Sequence, residues 1–216
     1  MKIVNGFGKL ALGGLLAAGC LIIVPTVRGF ITQPSEVTIT AYDDEAAEIG
    51  PNTGNFKIWR TGGNLTVPLT VYFEIPTGSA QNGSDYETLP EWVTIPQDAP
   101  CTDVIVTPIL DANCSEGSET VVLTLATNAN YWVGWPNSAT VTIADVPADG
   151  DSDGDGLLDC WELAQFGDLD ETSGGNPDGD ALTNLQEYLH GTNPNQSDTT
   201  TDSGNLIALQ VYTPLK

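Results

Sequence analysis

Hydrophobic and polar residues alternate with a period of two along most of the middle of the chain. Apolar side chains recur at every second position in seven short runs, separated by turns rich in Gly, Pro, Asn and Asp. The runs cover residues 37–41, 56–60, 67–75, 92–95, 103–109, 120–125 and 139–143. Because successive side chains of a β-strand point to opposite faces, this pattern predicts seven half-buried strands. Short strands at this spacing are typical of a mainly β protein with a seven-stranded antiparallel, immunoglobulin-like sandwich.

An uncharged apolar run at residues 10–27 precedes the strands. A signal-peptide core has about 7–15 residues and a membrane-spanning helix about 17–25, so the run is at the short end of the second class. The lysines before it place its start in the cytoplasm, and the rest of the chain is then exported. We favour an uncleaved signal anchor in residues 1–29; cleavage near Gly29 and lipid attachment at Cys20 are the alternatives.

The charge of the chain narrows the choice of partners. The chain has 29 acidic and 6 basic residues and a net charge of −23. After residue 36 only Lys57, Arg60 and Lys216 oppose the carboxylates. Nucleic acids and anionic lipids bind through Lys and Arg, so this composition excludes nucleic acid as a partner. Charge alone favours an acidic surface that only aids solubility; the spacing of the acids, described next, favours divalent cations.

The most specific motif is an acidic loop, DSDGDGLLDCWE, at residues 151–162. Its acids follow the spacing of a calcium-binding loop with ligands at positions 1, 3, 5, 7, 9 and 12, and Gly156 provides the sharp turn at position 6. The predicted ligands are Asp151, Asp153, Asp155, the carbonyl of Leu157, Asp159 and Glu162.

A second copy of this loop, NPDGDALTNLQE, follows at residues 176–187. Its predicted ligands are Asn176, Asp178, Asp180, Leu182, Asn184 and Glu187. It has fewer ligand charges than the first loop, so weaker calcium binding is expected. Ala181 replaces the glycine at position 6 and would be strained if that position needed a positive φ.

The sandwich region resembles a Calx-beta domain over residues 36–145. The resemblance depends on DDEAAEIG at 43–50, GNFKIWRTG at 54–62, GSDY at 83–86, PILD at 108–111, EGSET at 116–120 and TVTIAD at 140–145. Some members of that family bind calcium through carboxylates at one end of the sandwich, and others have lost the site. The resemblance implies Glu48, Asp85, Asp111, Glu116 and Asp145 as metal ligands. Structural turn carboxylates without an ion are the alternative.

The paired loops and the segment after them resemble thrombospondin type 3, EF-hand-like and dockerin-like calcium repeats over residues 149–195. Apolar residues after the loops are expected to form one small shared core, from Trp161, Leu163, Phe166, Leu185, Tyr188 and Leu189. A core of this size does not stabilise a domain alone, so folding of the repeats should depend on calcium.

The cysteines suggest a link between the two regions. Cys101 and Cys114 stand at opposite ends of one predicted strand and are too far apart to form a disulfide with each other. Cys114 is beside the acidic end of the sandwich, from which the chain leaves at Asp145. We therefore predict a Cys114–Cys160 disulfide, with free thiols as the alternative.

These assignments give a five-part chain. The parts are a signal anchor or signal peptide (1–29), a tether (30–36), the sandwich (37–146), paired calcium loops (147–195) and a linker with a C-terminal strand (196–216). The last strand would cover a sheet edge of its own domain or pair with another subunit.

No catalytic set is evident in the sequence. The only histidine is His190, no phosphate-binding Gly-rich loop occurs, and calcium geometry accounts for the paired acids. The sequence therefore predicts a non-enzymatic, membrane-tethered, extracytoplasmic calcium-binding module, in the periplasm or on the cell surface. It would mediate adhesion or contact with proteins or surface matrix. The alternative is a single-span accessory subunit of a larger membrane complex or extracellular assembly. A calcium sensor is the third hypothesis.

Overall fold

The described residues form a β-sandwich whose longest strands bury every second side chain, as the periodicity predicts. The computed structural model describes residues 33–50, 52–114 and 116–197. Its strands are β1 (Ser35–Asp43), β2 (Glu45–Ala47), β3 (Gly54–Thr61), β4 (Leu69–Tyr72), β5 (Thr77–Gly78), β6 (Trp92–Ile95), β7 (Cys101–Val106), β8 (Glu119–Thr124), β9 (Tyr131–Val133) and β10 (Ser138–Ala144). Two short helices follow, α1 (Asp159–Gln165) and α2 (Asn184–His190).

The strands form two larger sheets and one small ribbon. Strand order is β7-β3-β1-β9 in the first sheet and β2-β10-β8-β5 in the second, and β4 pairs with β6. Alternate residues of the central strands fill the space between the sheets; they are Val37, Ile39, Phe56, Ile58, Val121, Leu123, Val141 and Ile143. The hydrophobic effect of burying these side chains holds the two layers together.

The number and direction of the strands differ from the prediction. The described residues contain ten strands, and the three that the sequence did not predict are β2, β5 and β9. Each has two or three residues, which is too short to show an alternating pattern. The predicted antiparallel arrangement is found in five of the seven strand pairings among the described residues, whereas β9 runs parallel to β1 and β2 runs parallel to β10. Strand direction depends on the path of the chain, which local alternation does not report.

Prolines explain two boundary differences. Of the predicted strand 67–75, only Leu69–Tyr72 forms a named strand, β4, which begins directly after Pro68. The predicted strand 103–109 is β7, which starts two residues earlier and ends before Pro108. Proline has no backbone N–H to donate to a neighbouring strand, so it favours strand ends. At the N-terminal side, β1 starts at Ser35, inside the predicted tether 30–36.

The two helices pack through aromatic side chains. The ring of Trp161 in α1 meets Phe166 edge-on at 5.6 Å and Tyr188 of α2 at 5.4 Å, measured between ring centroids. The predicted small shared core is therefore confirmed for these three aromatic residues. Leu163 is also buried, and Leu185 is half-buried. Leu189 is 72 % exposed and was wrongly assigned to that core. Its side chain is therefore largely in contact with solvent.

The predicted signal anchor, including the apolar run 10–27, and the predicted C-terminal strand lie outside the described residues. Within the described part of the chain, neither helix has the length and apolar character needed to cross a membrane.

Candidate metal centres

Strand pairing brings the ends of β2 and β10 and the start of β8 together at one end of the second sheet. Ala47 pairs with Ala144 where β2 and β10 end, and Ile143 pairs with Glu119 where β8 begins. The backbone N–H of Glu48 donates to the carbonyl of Ala144 at 3.1 Å. Glu48, Glu119 and Asp145 are therefore adjacent in the fold.

Two loops add further acids at this end of the sheet. Asp85 precedes β6, and its carbonyl accepts a hydrogen bond from the N–H of Ile109 at 3.0 Å, two residues before Asp111. Carboxylate oxygens of Asp85, Asp111 and Glu116 all lie within 4.8 Å of one another. We call the whole group the sandwich cluster: Glu48, Asp85, Asp111, Glu116, Glu119 and Asp145.

Backbone amides hold several of these carboxylates in place. Asp145 Oδ2 accepts from the N–H of Gly117 at 2.8 Å, and Asp85 Oδ2 accepts from the N–H of Gln81 at 2.6 Å. Asp85 is only 5 % exposed. The side chain of Asn113 donates to Glu116. The positions of these acids are therefore set by the loops and not only by their mutual repulsion.

Electrostatics identify the sandwich cluster as a site of unbalanced negative charge. Burial, followed by repulsion from Asp111 and the other acids, raises the pKa of Glu48 to about 7. Burial and a hydrogen bond with the Asp85 carboxyl raise the pKa of Glu119 to about 7. Glu48 Oε2 is buried and accepts no hydrogen bond from the described residues. A cation would remove both the repulsion and the desolvation cost.

The structure thus brings the five predicted sandwich residues together and adds Glu119, which the sequence analysis missed. The available signal was its position: Glu119 is an acid one residue before the predicted strand 120–125, within the EGSET motif. Acids at strand ends beside other acids are candidate ligands in general.

The first repeat loop, 151–162, brings three of its predicted ligands together at its exposed side. Oxygens of Asp151, Asp153 and Asp155 lie within 4.8 Å of one another. Asp151 accepts from the N–H of Gly154 at 2.8 Å and from that of Gly156 at 3.1 Å. Gly156 has φ 97°, so the predicted turn glycine at position 6 does adopt a left-handed conformation.

Glu162 is the last predicted ligand of this loop, and its side chain is buried. It is 1 % exposed, and neither carboxylate oxygen accepts a hydrogen bond from the described part of the chain. Burial, followed by repulsion from Asp155 and Asp153, raises its pKa to about 7. A buried carboxylate close to three others is costly unless a cation or a proton neutralises it.

Asp159, a predicted ligand of the first loop, makes hydrogen bonds within the protein. Asp159 is buried, but its carboxylate accepts from the N–H and hydroxyl of Ser152 at 2.9 and 2.8 Å. Neither Asp159 nor Glu162 belongs to the group of Asp151, Asp153 and Asp155 whose oxygens all lie within 4.8 Å of one another, although both act on the site electrostatically, since Asp159 helps to raise the pKa of Glu162. A helix begins at Asp159 and turns its carboxylate back to the start of the loop, which the spacing alone could not show. Leu157, predicted through its carbonyl, has a fully buried side chain.

The second repeat loop has a similar group. Oxygens of Asp178, Asp180 and Glu187 lie within 4.8 Å of one another, and Glu187 is fully buried. Leu182 donates its N–H to Asp180 Oδ1 at 2.7 Å. Asn176 Oδ1 accepts from the N–H of Gly179 at 2.9 Å.

Two features of the second loop were not evident from its spacing. The buried Asn184 donates its amide to the carbonyl of Thr172 at 3.0 Å. Ala181 does not have a positive φ, since Asp98 is the one non-glycine residue with positive φ among those described. The strain considered for Ala181 is therefore absent; Gly179 at position 4 has φ 73° instead.

The predicted Cys114–Cys160 disulfide is confirmed. The Cα atoms of the two cysteines are 6.0 Å apart, and Cys101 is a free, partly exposed thiol. The bridge joins the loop that carries Asp111 and Glu116 to helix α1, which carries Glu162.

Fold and site together define a class: a two-sheet β domain with acidic loops at one end, followed by two acidic loop–helix repeats. Residues 48–147 match the family model of the Calx-beta domain, which confirms that part of the predicted resemblance. The family match does not include the two repeats.

Three solved structures are similar to about half of the chain. The apo form of the Calx CBD1 domain is 18 % identical, covers 52 % of this chain and 98 % of its own, with a TM-score of 0.43. The calcium binding domain CBD12 of CALX1.1 is 19 % identical, covering 50 % of this chain and 44 % of its own, at a TM-score of 0.42. CBD12 from CALX1.2 is 18 % identical over 50 % of this chain and 43 % of its own, at 0.41. This chain thus spans less than half of the latter two. No curated protein matches it.

Proposed function

We propose that this protein is a non-enzymatic module that binds calcium at the sandwich cluster and at both repeat loops, with the ions serving a structural role. The observation that carries the proposal is Glu162, a buried carboxylate whose oxygens accept no hydrogen bond from the described residues and whose pKa is raised by burial and by repulsion from Asp155, Asp153 and Asp151. A divalent cation between these four acids would balance the charge that burial makes unfavourable.

The donor atoms favour calcium over other metals. All three groups of candidate ligands are carboxylates, so their donors are hard oxygens. Calcium takes six to eight such oxygens in flexible arrangements, whereas zinc and copper favour nitrogen and sulfur. The carbonyls of Leu157 and Leu182 and the amides of Asn176 and Asn184 supply further oxygen ligands at the predicted loop positions. The repeats then belong to the thrombospondin type 3 or EF-hand-like class.

The sandwich cluster supports the same function independently. Its six acids come from four separate segments, and two of them have pKa values raised to about 7. One of the similar solved structures is described as a calcium binding domain. Calcium in the sandwich would join these segments and stiffen one end of the domain.

The cellular role follows from the N-terminal part of the chain. The apolar run 10–27 would tether the module to a membrane and place it outside the cytoplasm, where calcium at about 10⁻⁴–10⁻³ M keeps extracellular modules filled. The ions would then rigidify the module for adhesion or protein contact and would not act as a switch. The rival role is an accessory subunit of a membrane complex. Isolation of the mature protein with an N-terminus near Gly29 and no partner would contradict that rival.

Calorimetric titration of the full chain with calcium tests the binding proposal. Asp153→Asn should remove binding at the first loop, and Asp111→Asn should remove or weaken binding at the sandwich cluster. Asp168→Asn is the control, because Asp168 is exposed and belongs to none of the three groups. Heat that is identical in all four proteins, or no heat of binding in the wild type, would contradict the proposal.

A further inference from the structure

The Cys114–Cys160 disulfide connects the two kinds of candidate calcium site directly. On one side, Cys114 lies between Asp111 and Glu116, two of the three acids whose oxygens meet in the sandwich cluster. On the other side, Cys160 lies in α1, two residues before the buried Glu162. The bridge is therefore within three residues of a candidate ligand at each end.

The peptide connection between the sites is also short and folded. Asp145 of the sandwich cluster and Asp151 of the first loop are separated by 146–150, in which Val146 is buried. The N–H of Gly150 donates to the carbonyl of Pro147 at 2.8 Å, and the N–H of Asp159 donates to the carbonyl of Gly150 at 2.9 Å. A Cβ on Gly150 would lie 2.8 Å from Asp159 Oδ2, so the connector packs closely on the start of α1.

We propose that the disulfide couples these sites, so that calcium bound at the sandwich cluster raises the calcium affinity of the first repeat loop, and the reverse. This inference rests on the proposed calcium-binding function and concerns its regulation. A calcium ion at one site fixes the backbone on its side of the bridge. The bridge then restricts the backbone on the other side, so the second ion meets ligands that are already ordered and loses less conformational entropy on binding.

The sandwich and helix α1 are joined both by the connector 146–150 and by the disulfide. They therefore have less freedom to move independently than if the connector alone joined them. Without the bridge, the segment with Asp111 and Glu116 could order around its ion while α1 remained free. Coupling of this kind is reciprocal: the factor by which loop binding improves sandwich binding must equal the factor in the other direction.

Two glycine amides report on the sites separately. The N–H of Gly117 donates to Asp145 in the sandwich cluster, and the N–H of Gly156 donates to Asp151 in the first loop. A calcium titration of the full chain, followed by the NMR signals of both amides, therefore gives one affinity per site. Glu162→Gln empties the first loop with a side chain of the same shape, and Asp111→Asn weakens the sandwich cluster.

With the disulfide intact, we expect Glu162→Gln to weaken calcium binding reported by Gly117 by about fivefold or more, the usual lower range of such coupling. In the Cys114→Ser/Cys160→Ser background the same change should have an effect of less than about twofold, below that coupling range. Cys101→Ser is the control for loss of a cysteine and should keep the full effect.

Equal effects in the presence and absence of the bridge, or no effect with the bridge intact, would overturn the coupling. If the bridge-free protein does not fold, the intact protein still decides. Asp111→Asn must then weaken binding reported by Gly156 at least about fivefold, again the lower range of coupling, and an unchanged affinity there would refute the proposal. Calcium that shifts neither amide in the wild type would refute the calcium function itself, whereas two independent affinities would refute only the coupling.

Discussion

Three glutamates, Glu48, Glu119 and Glu162, show what the acidic sites do to single residues. Burial is the largest cause that raises each pKa to about 7, and neighbouring carboxylates add to it. An ordinary glutamate would be almost fully ionised at pH 7, but in these positions the charged form is unfavourable. Each of these residues therefore takes up a proton or a cation more readily than an exposed glutamate.

These shifts predict how stability depends on pH in calcium-depleted buffer. Between the unfolded pKa of 4.5 and the folded value of about 7, the folded chain binds more protons than the unfolded chain. The free energy of unfolding should therefore fall as the pH rises through that window. Thermal unfolding followed by circular dichroism should show a lower melting temperature at about pH 7.5 than at about pH 5.5, the two sides of the window.

Saturating calcium should reverse or flatten that trend, since the ion needs the ionised carboxylates and protons compete with it. The double variant Glu48→Gln/Glu162→Gln serves as the control, because it removes two of the three titrating groups and should have a shallower pH dependence. A melting temperature that rises with pH in depleted buffer would contradict the assignment.

A single isosteric change separates binding from stability at Glu162. Glu162→Gln should raise the melting temperature in calcium-depleted buffer at neutral pH, because the amide is neutral and the buried charge is removed. The same change should reduce the stabilisation that calcium gives, which is about 2.7 kcal/mol for one site at 100 times its Kd. Glu91→Gln, at an exposed position outside the three groups, should change neither quantity. A Glu162→Gln protein that is less stable without calcium would argue for a structural role of this carboxylate.

At the scale of elements, the sandwich depends on how closely its two sheets approach. Gly54 begins β3 in the first sheet, and a Cβ at this position would overlap the side chain of Val141 in β10 of the second sheet. A valine side chain branches at Cβ and has few ways to move aside in a packed core. The glycine therefore sets the distance between the sheets at that point.

Replacement of Gly54 tests this packing. Gly54→Ala should lower the free energy of unfolding by about 1–3 kcal/mol, the usual cost of overpacking a core. Urea unfolding with calcium present measures it. Gly174→Ala is the matched control, because a Cβ there meets no atom within 4 Å. Equal stability of both variants would mean that the sheets separate without cost.

At the scale of the whole molecule, the sandwich and the two repeats fall within one compact unit, although the sequence suggests two regions. The disulfide spans 46 positions of the sequence and joins the sandwich to the repeats. The repeats have a small core of their own, so much of their stability should come from this bridge and from bound ions.

Removal of the bridge should therefore affect the unfolding of the whole molecule. Closing a loop of this length stabilises a fold by about 4 kcal/mol in the chain-entropy view, and Cys114→Ser/Cys160→Ser should lose an amount of that order. Urea unfolding in saturating calcium, followed by tryptophan fluorescence, measures the loss. Cys101→Ser should unfold like the wild type. If the double variant also unfolded like the wild type, the repeats would not depend on the sandwich.

The sequence by itself determined the features that depend on residues close together along the chain. Alternation predicted the long strands, such as β3 and β8, because burial of every second residue is a property of the strand itself. The spacing of acids predicted the loops at 151–162 and 176–187, because the ligands of such a loop come from one short segment. The Calx-beta resemblance named five acids that the fold does bring together.

Only the tertiary structure decided the features that need distant segments to meet. The parallel pairing of β1 with β9 and of β2 with β10 depends on the path of the chain. Glu119 joins the sandwich cluster because β8 pairs with β10, and Asp159 turns to Ser152 because a helix starts there. The buried state of Glu162 arises from packing around α1. Long-range strand pairing and packing decide which acids lie together and which are buried, and the spacing of residues along the chain does not report either property.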